Sequence, residues 1–202
     1  MTEPLHDEAR PLLRAAANLA ADFLDARRDS PVSGDESTAA VAVGGIVKTE
    51  ASARVVRRVS RRDLATLVVM CGEHAQYERA PHEPAGMAER LARALFATPP
   101  LLHAWVAEAH GELLGYATAT AEFSTWQAHE FLHMDCLFVR EGRRGDGIGA
   151  SLLAAVVAAA RRAGCAEIQW QTPDWNTDAA RFYRRAGAIE KPKRRFFLQL
   201  DG

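Results

Sequence analysis

Residues 143–153, "RRGDGIGASLL", set two arginines and three alternating glycines in front of an apolar run. Gly145, Gly147 and Gly149 are costly in a folding chain, because a residue without a side chain has the most backbone freedom to lose. They stand where a strand-like segment, Phe131 to Val139, gives way to a helix-like one, Gly147 to Ala163. That junction gives the cost a purpose. The first turn of a helix has N–H groups without intrahelical acceptors and a partial positive charge. With no side chains in the way, a phosphate can approach those N–H groups, and Arg143 and Arg144 add charge. Two other phosphate loops do not fit. A P-loop ends in Gly-Lys-Ser/Thr, whereas Gly149 is followed by Ala150 and Ser151. A dinucleotide fingerprint is spaced G-x-G-x-x-G after the first strand of a doubly wound sheet, and neither condition holds.

On both sides of this junction strands and helices alternate. Arg54 to Val59 is a short strand, and Arg61 to Arg79 is helical through Leu64, Leu67, Val68, Cys71 and Ala75. Ala85 to Ala97 is a second helix, stopped by Pro99-Pro100. Leu102 to Ala107 and Leu113 to Thr120 form a hairpin with Gly111 in its turn. After the long helix, which Gly164 closes, come a strand (Ala166 to Thr172), a helix (Thr177 to Ala186) ended by Gly187, and a last strand (Arg195 to Leu200). This order predicts an α/β fold with a mixed sheet. Its first strands are antiparallel, and a crossover helix connects two parallel strands near the middle.

Composition bounds the rest. Of 202 residues, 48% are hydrophobic and 25% charged, and the formal net charge is −1. This is the balance of a soluble globular protein, with no bulk field to recruit nucleic acid or an anionic membrane. Cys71, Cys136 and Cys165 are odd in number and widely spaced, which fits neither a disulfide framework nor a zinc site and points to a reducing cytoplasm. The start, MTEPLHDEARP, lacks the apolar run of a signal peptide. Residues 8–28 repeat Leu12, Leu13, Ala16, Leu19, Ala20, Phe23 and Leu24 at helical spacing, and residues 30–52 are small and polar. The expected organisation is a helical extension over 1–30, a flexible linker over 31–53 and the main domain over 54–202. Residues 1–53 sum to a charge of −4 and the remainder to +3, which marks the same boundary. The apolar stripe of the extension needs a surface to pack on, so a dimerisation or docking arm, and with it a homodimer, is expected.

Arg144-Gly145-Asp146-Gly147-Ile148-Gly149 resembles the R/Q-x-x-G-x-G/A acyl-CoA-binding motif of the GNAT acetyltransferase superfamily, and the order of elements resembles that fold over residues 54–202. "FSTWQAHEFLHMDCLFVREGRRGDGIG" (123–149), "DWNTDAARFYRRAGA" (174–188) and "EHAQYERAP" (73–81) are similar to the diamine (spermidine/spermine) and thialysine branch. The resemblance implies acetyl-CoA as acyl donor, no metal, and a GNAT sheet whose parallel pair splays around the donor. It assigns the donor's pyrophosphate to the loop from Arg144 through Ala150. It assigns the pantetheine arm to Leu137, Phe138 and Val139, and further donor contacts to Asn176, Asp178, Ala179 and Tyr183.

Acetyl transfer to an amine requires that the amine lose a proton, that an oxyanion be stabilised and that the leaving thiolate be protonated. The resemblance gives the last task to Tyr183 and the oxyanion to the backbone N–H of Leu137. Strand 131–139 is apolar on both alternating faces, so Asp135 is expected in a buried run, where a carboxylate must be paired or functional. Asp135 stands where the resembling enzymes carry a glutamate base. His133, on the same expected face, is the other candidate, since histidine titrates nearest neutrality. Cys136 is expected to point away from Asp135 and to pack as a small hydrophobe. Tyr77, Glu78, Trp126 and Gln169 are the expected amine contacts, where an aromatic beside a carboxylate suits a cation. The reading is an N-acetyltransferase acting on a small-molecule primary amine in a ternary complex. Two alternatives stay open: transfer of a longer acyl group or to a peptide amine, and an acyl-CoA sensor without catalysis.

Overall fold

The computed structural model describes residues 54–200; the expected extension and linker lie outside the described residues. Five strands follow one another in spatial order: β1 (Val55–Arg58), β2 (His103–Ala109), β3 (Glu112–Ser124), β4 (His129–Val139) and β5 (Ile168–Gln169). β1 to β4 are antiparallel, and β4 and β5 are parallel. Four helices accompany them: α1 (Leu64–Glu78), α2 (Met87–Leu95), α3 (Ile148–Arg162) and α4 (Thr177–Arg185). The mixed α/β sheet expected from the sequence is present.

Both faces of the sheet are covered. Leu152 and Val156 of α3 pack on Trp105, Ala107, Ala117 and Met134. Leu67 and Met70 of α1, with Leu95 of α2, pack on Val106, Tyr116 and Phe138. The buried positions of α3, Ile148, Leu152, Leu153, Val156 and Ala160, recur at helical spacing. Each contributes about 1.5–3 kcal/mol where a full aliphatic side chain leaves water. The β2–β3 turn is His110-Gly111, with φ of 51° and 78°, a pair of positive values that matches the twist of a two-residue hairpin.

α1 is fixed at both ends. Ahead of it, Asp63 accepts from Arg57 of β1 at 2.7 and 2.8 Å and from the Ser60 amide at 2.7 Å. At the other side of the helix Glu73 receives a bidentate pair of bonds, both 3.0 Å, from Arg140 just beyond β4. Bidentate geometry holds α1 in one register against the strand that carries Asp135.

Three expectations need correction. First, strand 131–139 does not alternate throughout. Thr118 pairs with Cys136 and Ala119 with Met134, so Asp135 is the extra residue of a β-bulge. Leu132 and Met134 face α3 before the bulge, Leu137 and Val139 face α3 after it, and Cys136 and Phe138 face α1. Asp135 is consequently exposed rather than buried. Cys136 does not point away from it either: its thiol donates to Asp135 Oδ2 at 3.6 Å. Second, the strand expected over 166–172 is paired only at Ile168 and Gln169, opposite Leu132 and His133. Past the bulge β4 leaves β5, and residues 170–172 have no ladder partner. Third, residues 195–200 form no strand. A strand exists only with a neighbour, and Phe196, Phe197, Leu198 and Leu200 are exposed instead. The parallel pair therefore ends the sheet.

Candidate active site

The glycine junction is built as a bare helix start. Gly145 and Gly147 have φ of 91° and 77°, values that a residue with a Cβ rarely adopts. Gly147 caps α3, and the first bond within the helix runs from the Ser151 amide to Gly147 O at 3.1 Å. The amides of Ile148, Gly149 and Ala150 precede that bond, so they are the free donors of the first turn. Gly149 differs: a Cβ there would lie 3.6 Å from the Phe182 ring of α4, an ordinary van der Waals contact, so space does not demand glycine at this position. Asp146 lies in this exposed turn between the two positive-φ glycines.

Arg144, exposed, lies along the strand end. Its Nε donates to Val139 O at 3.1 Å, and its guanidinium lies 4.2 Å from the centre of the Tyr77 ring. Tyr77 in turn donates to Asn176 Oδ1 at 3.2 Å. Asn176 is buried and caps α4 by accepting from the Ala179 amide at 3.2 Å. Residues that the sequence assigned separately to the donor and to the amine therefore meet in one cluster, with Trp175 edge-on to Tyr77 at 5.7 Å.

Tyr183 lies on α4 between Trp170, 5.0 Å away, and Phe182, 5.2 Å away. Burial pushes its phenol up to about 12, and the charges of Glu78 and then Cys136 add to the effect. The phenol keeps its proton at neutral pH, as an unshifted phenol also does. Cys136 is likewise pushed up to about 12, by burial first and the Asp135 carboxylate next. It is a thiol, not the thiolate that covalent acyl transfer would require.

A polar group that the sequence reading missed lies under the bulge. His74 of α1 stacks on Phe138 at 5.0 Å. Its Nδ1 is 3.0 Å from Tyr116 Oη and its Nε2 is 3.3 Å from Glu78 Oε1. The Thr118 hydroxyl is buried on β3 opposite Cys136, whose thiol is its polar neighbour. The signal available in the sequence was His74 and Glu78 four residues apart on one helix face, inside "EHAQYE".

The other expected residues lie apart from this cluster. His133 faces Glu122 across β3, its Nδ1 3.9 Å from the carboxylate, and pairs with Gln169 on β5. The Gln169 amide donates to Glu167 at 2.7 Å. Trp126 stands 96% exposed in the β3–β4 turn. Asp178 is exposed and paired with Arg181. Among the described residues no group of three or more His, Cys, Asp or Glu is arranged to hold a metal ion. No helix among them is long and apolar enough to cross a membrane.

Known proteins agree with this architecture. The thialysine N-epsilon-acetyltransferase of Mus musculus is 30% identical over 141 residues, 66% of this chain and 82% of its own. That of Bos taurus is 28% identical over 142 residues, 66% of this chain and 83% of its own. These relatives agree with the resemblance to the thialysine and diamine branch. In structure, an aminoglycoside N-acetyltransferase in complex with CoA superposes with a TM-score of 0.64 at 20% identity, over 76% of this chain and 99% of that one. Residues 67–188, more than half of the chain, match the Acetyltransferase (GNAT) family. The chain belongs to that family and is an acetyltransferase enzyme.

Proposed function

We propose that this enzyme moves an acetyl group from acetyl-CoA to a primary amine of a small molecule, by direct attack with both substrates bound. The observation that carries the reading is Tyr183. Its phenol, protonated at neutral pH as an ordinary tyrosine is, lies between Trp170 and Phe182 on the helix that Asn176 caps, within the field of the Glu78 carboxylate. A proton donor and a partner for an ammonium group therefore share one site. The chain's residues fit the donor: the bare turn at Gly145 and Gly147 suits its pyrophosphate, and the parting of β4 from β5 leaves the backbone of Leu137 without a ladder partner on that side for its arm, while Val139 O accepts from Arg144. When bound, acetyl-CoA supplies a thioester whose carbonyl accepts the amine.

Within this reading Glu78 and Tyr77 hold the ammonium, Asp135 takes its proton through water, and the Leu137 amide donates to the oxyanion. Asn176 orients Tyr77 and caps the helix that carries Tyr183. The exposed carboxylate at the bulge supports Asp135 over His133, whose imidazole faces Glu122 instead. Three free cysteines support a reducing compartment such as the cytoplasm. The exposed row Phe196, Phe197, Leu198 and Leu200 supports self-association into a homodimer.

The test mixes the protein with acetyl-CoA and a panel of amines and follows thiol release. Thiol release and an acetylated amine are expected for lysine, its thia analogue or a diamine. Binding of CoA without release for every amine would overturn the reading in favour of a sensor.

A further inference from the structure

Glu78 is half-exposed at the end of α1, where a carboxylate on a flexible stem would sample many orientations. His74, one turn earlier and largely buried, limits that freedom. His74 Nε2 lies 3.3 Å from Glu78 Oε1, and because a carboxylate can only accept, the tautomer with its proton on Nε2 is the one that turns this contact into a hydrogen bond. The other nitrogen of a neutral imidazole then accepts, and Tyr116 Oη at 3.0 Å donates to it. Phe138 stacks on the ring and fixes its plane. The result is a directed chain from Tyr116 through His74 to Glu78, anchored on β3 and ending at the amine subsite.

We propose that His74 is a positioning residue that fixes the Glu78 carboxylate toward the substrate ammonium and makes amine recognition sensitive to pH. The inference rests on the amine-acetyltransferase reading above. When His74 takes a second proton, both ring nitrogens become donors. The Tyr116 hydroxyl must then turn away, and a positive charge stands beside the subsite that should attract a cation.

The charged and titratable groups facing His74 are Glu78 on its own helix, Tyr116 on β3, Asp135 on β4 and Arg144 on the loop before α3. Burial is the largest influence and lowers the imidazole below its ordinary value, Glu78 and Asp135 oppose it, and Arg144 lowers it further. Burial pushes the Tyr116 phenol far up, so it remains a donor throughout. Neutral His74 is therefore the working form at pH 7, and its protonation belongs to the acidic side.

Two measurements on the full chain test this. In steady-state kinetics with lysine, its thia analogue and putrescine, His74→Leu should raise the amine KM roughly tenfold, the order expected for losing a hydrogen bond to a charged group, and leave the acetyl-CoA KM unchanged. His74→Gln, which keeps a donor toward Glu78, should recover most of that loss but lack the acidic step of kcat/KM that His74 produces. An unchanged amine KM in His74→Leu, or the same acidic step in His74→Gln, overturns the proposal. Independently of turnover, nitrogen-15 NMR of the imidazole should show the Nε2–H tautomer at neutral pH and a titration that Glu78→Gln moves lower. The opposite tautomer, or no movement, also overturns it. A wild-type protein that fails with every amine yet shows this tautomer and shift would sink the acetyltransferase reading and leave the hydrogen-bonded chain standing.

Discussion

At the scale of single residues, burial raises two groups of the candidate site above their ordinary values. Tyr183 and Cys136 are both pushed up to about 12 by burial, and the proposed function gives a use only to the tyrosine's proton. Tyr183→Phe should lower kcat by about 100-fold and leave CoA affinity unchanged, the size of effect expected for a lost general acid. Cys136→Ala should remain active, and mass spectrometry of the wild type incubated with acetyl-CoA should find no acetyl-cysteine. An acetylated Cys136 would refute direct attack. The residues of this layer were unequally legible. Tyr183, Asn176 and Tyr77 could be named from their motifs. His74 could not, because a histidine on a helix gains meaning only when Tyr116 and Phe138, more than 40 residues away in the chain, come to its ring.

Among the secondary elements, two devices decide where these groups stand. The bulge at Asp135 turns the end of β4 over, so that Leu137 and Val139 continue on the α3 side while Cys136 and Phe138 pass to the α1 side. A strict period of two, read from the sequence, puts half of the strand on the wrong face, since one inserted residue reverses every side chain beyond it. The glycine turn is the second device. Gly147→Ala should cost about 1 kcal/mol by strain at φ 77° and weaken CoA binding, which calorimetry with CoA would measure. The Arg57–Asp63 pair is a structural counterpart. Its carboxylate is almost fully buried, so Asp63→Asn should destabilise the fold by about 3 kcal/mol in urea unfolding.

For the whole molecule, the shifted groups set a window of stability. Arg57 holds Asp63 well below the usual carboxylate range, so its contribution is present above the ordinary value near 3.8 and is lost as pH falls below it. His74, lowered chiefly by burial, adds an earlier loss that begins as pH falls below its ordinary 6.5. Cys136 and Tyr183 are raised, so their contribution is full below the ordinary values of 9.0 and 10.0 and is lost as pH rises toward about 12. Thermal unfolding should therefore be most resistant near pH 7–9 and weaken on both sides; a maximum near pH 5 would contradict these assignments. The sequence by itself determined the order of the elements, the bare helix start and the family, because glycine spacing and hydrophobic period are local properties that need no partner. The tertiary structure alone decided the bulge, the shortness of β5, the missing strand at 195–200 and the chain from Tyr116 to Glu78. Each of these depends on which backbone lies alongside, and a strand or a hydrogen bond has no existence until its partner arrives.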